Sequence, residues 1–188
     1  AEQPPLTLRR MLTVGADRNV LLLSISYFCM NYAFYLLSSW SYQYLLQVRH
    51  LEGLEGGMAG AVPWIGAAIG AGVGGMLGDR LAQRFGAERG YRLIPLITLP
   101  LAGVLLVATT LVSTPYAAVA TLTVAFLAIE CTEGPYWAAT MQVARSDTAA
   151  ATGVLNTGGN LAGIVTGPLV GWLAGFGGWN VAFITGLG

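Results

Sequence analysis

The sequence predicts an all-α membrane protein built as a bundle of spanning helices. Of its 188 residues, 55% are hydrophobic and only 10% are charged, and the mean hydropathy is +0.63. This composition is more apolar than a water-facing globule allows. The apolar residues also form runs of about 20 or more, which is the length that crosses the hydrocarbon core as a helix. Most of the surface should therefore face lipid.

The spanning helices can be placed in chain order from these apolar runs. Residues 1–19 carry no signal peptide and are predicted to form a cytoplasmic linker. The complete spans are predicted at residues 20–46, 57–78, 91–112, 115–141 and 148–174. A sixth span begins at residue 178, and its residues to 188 would cover only about 16 Å as a helix. We therefore expect an incomplete last helix and a chain that is part of a longer protein.

The basic residues are distributed unevenly between the two sides of the predicted bundle. All nine are arginines. One side holds Arg9, Arg10, Arg18, Arg80, Arg84, Arg89, Arg92 and Arg145, and the other side holds Arg49 alone. An excess of Lys and Arg marks the cytoplasmic side of a membrane protein. The pattern predicts an integral multi-pass protein of the plasma (cell inner) membrane, with the N-terminus of this chain in the cytoplasm.

Several function classes conflict with the composition. The formal net charge is zero, which argues against a nucleic acid partner. Cys29 and Cys131 lie in apolar runs without metal-ligand spacing, so neither a metal site nor another cofactor is predicted. A rhomboid-type membrane protease needs a serine flanked by glycines and a buried histidine base, whereas the lone His50 lies in a predicted outer loop. The chain is therefore not expected to be an enzyme.

Glycines recur at every fourth residue in two of the predicted spans. The second span contains Gly66, Gly70, Gly74 and Gly78, and the fifth contains Gly159, Gly163, Gly167, Gly171 and Gly175. Residues four apart share a helix face, so each span presents a surface without side chains that another backbone can approach closely. These surfaces either pack within this bundle or rock against a partner bundle.

Two acids, Glu130 and Glu133, lie deep within the apolar run of the fourth span. A charged group at bilayer depth costs on the order of 3 kcal/mol, so these side chains should face a cavity, pair with a cation or hold a proton. Trp137 and Thr140 share their face at helical spacing, and Gly134-Pro135 should interrupt the helix. Because desolvation disfavours a charged carboxyl group, both acids are candidates for proton coupling. Structural pairing and hydrogen bonding to a substrate are the alternatives.

Polar side chains on the first and fifth spans could line the same cavity. The first span has a stripe on one helical face, formed by Tyr27, Asn31, Tyr35 and Ser38. In the fifth span Asn156 and Asn160 lie four residues apart. Amide and phenol groups can donate hydrogen bonds to hydroxyls or to a carboxylate. Simple packing between helices is the alternative role for the aromatic members of the stripe.

The end of the second span resembles the signature loop of the major facilitator superfamily. Residues 75–84, GMLGDRLAQR, contain a glycine followed by Asp79, Arg80 and Arg84, while Ala82-Gln83 replaces the usual glycine and arginine. In the family such a loop is taken to latch the cytoplasmic face, so the acid and the two arginines form a predicted cytoplasmic gating loop. The acid could pair with these arginines or with the N-terminus of another helix. Anchoring at the lipid head groups is the alternative.

A second resemblance is more specific. Residues 26–32 (SYFCMNY) and 156–165 (NTGGNLAGIV) are similar to the first and fifth helices of the C-terminal half in the anion:cation symporter branch, which carries organic anions such as sugar acids. Trp137 and Asn156 match the positions where these symporters place an aromatic ring and an amide against the substrate. Tyr136 is a weaker candidate for the same role, since its ring could turn toward lipid instead. The predicted substrate-binding residues are Asn31, Tyr35, Glu133, Trp137, Asn156 and Asn160.

Together the resemblances imply a six-transmembrane-helix half, helices 7–12 of a twelve-helix major facilitator fold, with the last helix truncated. They imply a secondary active transporter that carries a small organic anion together with protons by alternating access and works as a monomer in the lipid bilayer. Every arginine of this chain lies in a loop or at the end of a span, so the arginine that binds the anion would come from the missing N-terminal six-helix half. A proton-coupled exporter of drugs or metabolites, and a non-transporting solute sensor on the same fold, are the alternatives.

Overall fold

A computed structural model describes residues 7–187 and consists of helices joined by short turns. The α-helices are α1 (Leu8–Gly15), α2 (Arg18–Gln47), α3 (Gly53–Phe85), α4 (Ala87–Leu111), α5 (Pro115–Glu130), α6 (Glu133–Ala144) and α7 (Thr148–Ile184). Two 3-10 turns, Arg145–Asp147 and Thr185–Leu187, follow α6 and α7. No β-strand occurs between residues 7 and 187, and the predicted all-α fold class is confirmed.

The bundle has the apolar exterior of a membrane protein. Within the described residues four helical stretches are long and apolar enough to cross a membrane: Arg18–Gln47, Gly53–Phe85, Ala87–Leu111 and Pro115–Ile184. The last stretch is interrupted where Arg145 and Gly178 adopt positive φ values of 46° and 78°. Large apolar side chains point outward, and Ile97 and Ile164 are 65% and 70% exposed. Lipid solvates such a surface, whereas water would not.

The predicted gating loop is wrong as a loop, because its three residues are helical. Asp79, Arg80 and Arg84 lie within α3, which continues to Phe85. The connection to α4 is Gly86 alone, with a φ of 85° that favours glycine. The predicted span ends at residue 78 because the apolar residues end there. The helix continues to Phe85 because backbone hydrogen bonds form equally well through polar residues.

The predicted linker at residues 1–19 also contains a helix, α1, which is too short and too polar to be found as an apolar span. The Thr7 hydroxyl accepts a hydrogen bond from the backbone N–H of Arg10 at 3.3 Å and so caps its N-terminus. The Arg10 guanidinium forms an ion pair with Asp147, which ties α1 to the start of α7. Residues 1–6 of the predicted linker and residue 188 of the predicted sixth span lie outside the described residues.

The glycines of α3 let its backbone lie directly against the backbone of α5. A Cβ added at Gly66, Gly70 or Gly74 would overlap a carbonyl oxygen of the neighbouring chain segment. Those oxygens belong to Thr123, Leu127 and Cys131, which are also spaced by four. The two helices therefore run parallel in close contact, as small-residue packing in membranes allows. For these glycines, packing within the bundle is what the structure shows.

The glycines of α7 receive side chains rather than backbone. An added Cβ would lie 2.6 Å from the Tyr27 ring at Gly159, 2.9 Å from the Tyr35 ring at Gly163 and 3.0 Å from the Trp40 ring at Gly171. All three rings come from α2, so α2 and α7 also run parallel. Gly167 and Gly175 have no such neighbour within 4 Å among the described residues.

A polar anchor joins α2 to the C-terminus of α4, at the opposite end of the bundle from the other arginines. The carbonyl oxygen of Thr109 accepts hydrogen bonds from the Tyr44 hydroxyl at 2.9 Å and from Arg49 Nη2 at 2.7 Å. Arg49 Nε also donates to the Tyr44 hydroxyl at 2.9 Å. A cation at the end of a helix stabilises the carbonyl groups that have no partner within the helix. Arg49, the only arginine at this end among the described residues, thus ties the end of α2 to the end of α4.

The contact between α3 and α5 can be tested with two glycines of the same helix. We expect Gly70→Ala to lower the free energy of unfolding by about 1–3 kcal/mol, because its methyl group would overlap the Leu127 carbonyl. Gly72→Ala is the matched control, since nothing lies within 4 Å of its Cβ position and alanine favours a helix. The measurement is thermal unfolding of the purified full-length protein in detergent. Equal stability of the two variants would contradict this packing.

Candidate functional site

The candidate site lies beside a break in the helix that carries the two buried acids. α5 ends at Glu130 and α6 begins at Glu133. Pro135 has no N–H, so it cannot donate to the carbonyl group of Cys131 four residues earlier. The freed carbonyl lies against Gly74 of α3, where no side chain intervenes. The predicted interruption of the helix by Gly134-Pro135 is confirmed. It lies about one turn before the proline, because the carbonyl group that lacks its hydrogen bond is that of Cys131.

Glu133 is held by two hydrogen bonds to the same oxygen. Its Oε1 accepts one from the Tyr27 hydroxyl at 2.8 Å and one from Trp137 Nε1 at 2.7 Å. The two rings also meet edge to face, with centroids 6.4 Å apart. We call Tyr27, Glu133 and Trp137 the carboxylate cluster. It joins α2 to α6 across the interior of the bundle.

Tyr136, the weaker of the predicted site candidates, packs inward rather than toward lipid. The residue is only 4% exposed, and its ring packs edge to face on Tyr27 with centroids 5.3 Å apart. Its hydroxyl lies 2.6 Å from the Ser26 hydroxyl of α2. Tyr136 thus contacts α2 through both its ring and its hydroxyl group.

A second polar group joins α2 to α7. The Tyr35 hydroxyl donates to Asn160 Oδ1 at 3.2 Å. Asn160 Nδ2 donates to the backbone carbonyl oxygen of Asn156 at 2.8 Å, and the side-chain oxygen of Asn156 lies 3.3 Å away. We call Tyr35, Asn156 and Asn160 the amide cluster. Both asparagines are exposed within the chain, so their remaining donors and acceptors are accessible.

Asn31 lies between the two clusters on α2. Its Nδ2 donates to the backbone carbonyl oxygen of Tyr27 at 3.0 Å. A Cβ added at Gly159 would lie 3.0 Å from the same nitrogen, so the amide fits the side-chain-free surface of α7. The predicted binding residues thus occupy adjacent positions on α2, α6 and α7. Sequence reasoning noted Tyr27 on the stripe but did not select it, because no pattern on α2 indicates a hydrogen bond to α6.

The four residues predicted to share one helical face fall in two helices. Glu130 is the last residue of α5, and Glu133, Trp137 and Thr140 lie in α6. Within residues 7–187 the Glu130 carboxylate makes no hydrogen bond or ion pair. Thr140 is buried and donates to the carbonyl oxygen of Tyr136 at 2.8 Å. Of these residues, only Glu133 and Trp137 interact directly through their side chains.

Asp79, the acid of the predicted gating loop, has its hydrogen-bond partner on another helix. Asp79 Oδ1 accepts a hydrogen bond from the Tyr91 hydroxyl of α4 at 3.1 Å. Neither Arg80 nor Arg84 lies within ion-pair distance of it in the described part of the chain, so of the alternatives considered the local pairing does not occur. On a helix, residues one or five positions apart do not share a face, so the side chains of Arg80 and Arg84 point away from Asp79. The Asp79 carboxylate can therefore accept a hydrogen bond from another helix.

A cavity of about 930 Å³ lies next to the site but is not formed by the predicted binding residues. It opens between the first half of α2, the first half of α4 and most of the length of α6. Asn19, Leu23, Tyr91 and Gln142 are among the residues that line it. Tyr136, which also lines the cavity, packs on Tyr27 of the carboxylate cluster.

Two comparisons with known proteins match most of the chain. A family model described as Major Facilitator Superfamily matches residues 2–167. A protein of Agrobacterium vitis named "Putative tartrate transporter" is 29% identical over 159 residues, which make up 84% of this chain and 34% of that relative. The chain therefore spans about a third of the length of the curated relative it matches.

Two substitutions of Glu133 should distinguish the contribution of its hydrogen bonds to stability from that of its charge. Glu133→Ala should lower the free energy of unfolding by about 1–3 kcal/mol, because it leaves the Tyr27 hydroxyl and the Trp137 N–H without an acceptor. Glu133→Gln should lower it by less than about 1 kcal/mol, because the amide oxygen can accept both bonds. Thermal unfolding of the full-length protein in detergent measures both values. A stable alanine variant would show that the cluster does not contribute to the fold.

Proposed function

The chain belongs to the major facilitator superfamily, and on this basis we propose that it forms the C-terminal part of a secondary active transporter. The substrate is a small organic anion such as a sugar acid, carried together with protons by alternating access. Membership of a family of transporters confirms the prediction that the chain is not an enzyme. Its apolar helices make it part of an integral membrane protein.

One observation carries the proposal: polar side chains of three helices lie close together in an otherwise apolar bundle. The carboxylate cluster and the amide cluster together bring an acid, three amides counting Asn31, and aromatic donors to the interface of α2, α6 and α7. Such groups are costly at membrane depth, so ionisable residues there usually serve transport rather than stability. Transporter sites also lie near the bilayer midplane beside discontinuous helices, and α5–α6 is discontinuous.

The organic-anion assignment is supported by the relative whose name states tartrate. It is also supported by Trp137 and Asn156, which match the substrate-facing positions implied by the sequence resemblance. An anion needs a positive charge, yet the arginines of this chain lie in α1 or near the ends of the longer helices. We place the required cation in an N-terminal six-helix half, which would complete the site from the opposite side.

Glu130 and Glu133 are the proposed proton-coupling residues. They are the acids closest to the helix break, and both are only partly exposed. Glu130 has no hydrogen-bond partner in the described residues, so a change in its charge need not break a contact within this chain. Glu133 is bound on one oxygen, so its protonation would be linked to Tyr27 and Trp137.

We also propose that the arginine-rich end of the bundle faces the cytoplasm and carries the gate. This end holds Arg80 and Arg84 in the last turns of α3, and Arg89 and Arg92 in the first turns of α4. The positive-inside rule supports this orientation. The Asp79 carboxylate is anchored to α4 through Tyr91, which leaves its charge available to a helix of the other half.

The transport proposal predicts uptake of a labelled organic acid into proteoliposomes that contain the full-length parent protein. The panel should include tartrate and several sugar acids, with and without an inward proton gradient. We expect gradient-stimulated uptake of at least one acid. Absence of uptake for every acid, with a cationic or lipophilic solute driven out instead, would favour the exporter and overturn the symport proposal. Binding without flux would favour a sensor.

In the same assay, Glu130→Gln and Glu133→Gln test the coupling role. A glutamine cannot release a proton, so the proton gradient should lose its effect in at least one of the variants, with uptake roughly tenfold lower or insensitive to the gradient. Glu88→Gln is a matched control, because Glu88 forms only an exposed ion pair with Arg92. Gradient-driven uptake that is unchanged in both test variants would remove the coupling role.

The gate is tested by separating the charge of Asp79 from its hydrogen bond. Asp79→Asn removes the charge but keeps an acceptor for Tyr91, whereas Tyr91→Phe keeps the charge and removes the bond. If the charge latches the cytoplasmic face, only Asp79→Asn should increase the labelling of a single cysteine in the cytoplasmic half of the pathway, by roughly fivefold. Unchanged labelling in a transport-competent Asp79→Asn variant would contradict the latch.

A further inference from the structure

The two oxygens of the Glu133 carboxylate have unequal surroundings. Oε1 accepts the hydrogen bonds from Tyr27 and Trp137, at 2.8 and 2.7 Å. Within residues 7–187, Oε2 has no hydrogen-bond partner. A carboxylate can accept about four hydrogen bonds, so half of its capacity is used and the rest is open. The side chain is partly exposed, which leaves this oxygen reachable.

Tyr27 is itself fixed in place by packing on three sides. The residue is 4% exposed, and its ring packs edge to face on Tyr136 and Trp137. Its other side lies against Gly159, where an added Cβ would be 2.6 Å from the ring. The hydroxyl can therefore hold Glu133 in one orientation, since the ring has little space to turn.

Electrostatics decides which part of an organic anion can approach the open oxygen. Two like charges 4 Å apart repel by about 4 kcal/mol at an effective dielectric constant of about 20. No arginine or lysine of the described residues contacts Glu133 to offset this repulsion. A substrate carboxylate is thus excluded from the position next to Oε2. A substrate hydroxyl can occupy it and donate a hydrogen bond to the charged acceptor.

We propose that Tyr27 is a positioning residue that, together with Trp137, orients Glu133 so that Oε2 accepts a hydrogen bond from a substrate hydroxyl. The chain would then select hydroxylated acids over deoxy acids of the same charge. This inference rests on the proposed transport of organic anions and specifies the substrate class. It adds substrate recognition to the proposed roles of Glu133, in the state in which its carboxylate is charged.

The test compares a hydroxy acid with its deoxy analogue in proteoliposomes that contain the full-length parent. Tartrate and succinate are a suitable pair, because both are four-carbon dicarboxylates and only tartrate has hydroxyl groups. Uptake of the labelled hydroxy acid gives its KM, and competition by the unlabelled deoxy acid gives its inhibition constant. For Tyr27→Phe we expect the KM of the hydroxy acid to rise roughly tenfold, with the inhibition constant of the deoxy acid unchanged.

Glu133→Gln is a second test variant, since its amide can accept from Tyr27 and Trp137 on one side but presents a donor on the other. It should lose the same discrimination, even if Tyr27→Phe folds poorly. Tyr32→Phe is the matched control, because it removes a hydroxyl from the same helix that lies 2.7 Å from the Thr185 hydroxyl, away from the acid. Its discrimination should equal that of the wild type.

The outcomes separate this inference from the proposed function. If the wild type takes up a hydroxy acid but the two test variants keep its selectivity, only the present inference is overturned. An equal loss of affinity for both acids would also overturn it, because it would indicate a structural role for Tyr27. If the wild type transports no acid at all, the proposed function fails and this inference fails with it.

Discussion

Hydrocarbon cannot hydrogen-bond, and this constraint governs how the chain folds. Each backbone group must find its partner within a helix, and each exception must be enclosed by protein. The carbonyl group that Pro135 leaves without its helical donor is enclosed in this way, against Gly74 of α3. The close approach of α3 and α5 therefore makes the helix break tolerable, and Glu133 lies directly after the break, at the start of α6.

The same constraint gathers the polar side chains. An acid at this depth needs donors, and Glu133 obtains them from Tyr27 on another helix and from Trp137 on its own. The amides of α7 satisfy part of their capacity along α7 and with Tyr35. Neither group is fully satisfied, since the asparagines are exposed and one carboxylate oxygen is open. The proposed binding role needs such unused donors and acceptors, because a group whose hydrogen bonds are all made within the protein cannot bind a substrate.

The two glycine series contribute to this site in different ways. In α3 they bring two backbones together and form a closely packed pair with α5. In α7 they accept the rings of Tyr27, Tyr35 and Trp40, so the polar ends of the two tyrosines reach defined positions. The same sequence pattern, a glycine at every fourth residue, thus supports rigid packing in one helix and side-chain positioning in the other. Which of the two occurs depends on the residues of the facing helix.

The sequence alone determined the membrane class, the all-α fold and the family, because apolar runs, charge asymmetry and the GMLGDRLAQR segment are local features of the chain. It also indicated the helix break, since the effect of Pro135 on backbone hydrogen bonding is local. Only the tertiary structure decided the inward packing of Tyr136, the partner of Asp79 and the hydrogen bond from Tyr27 to Glu133. Each depends on how one helix is rotated against another, and that rotation is set by side chains distant in sequence.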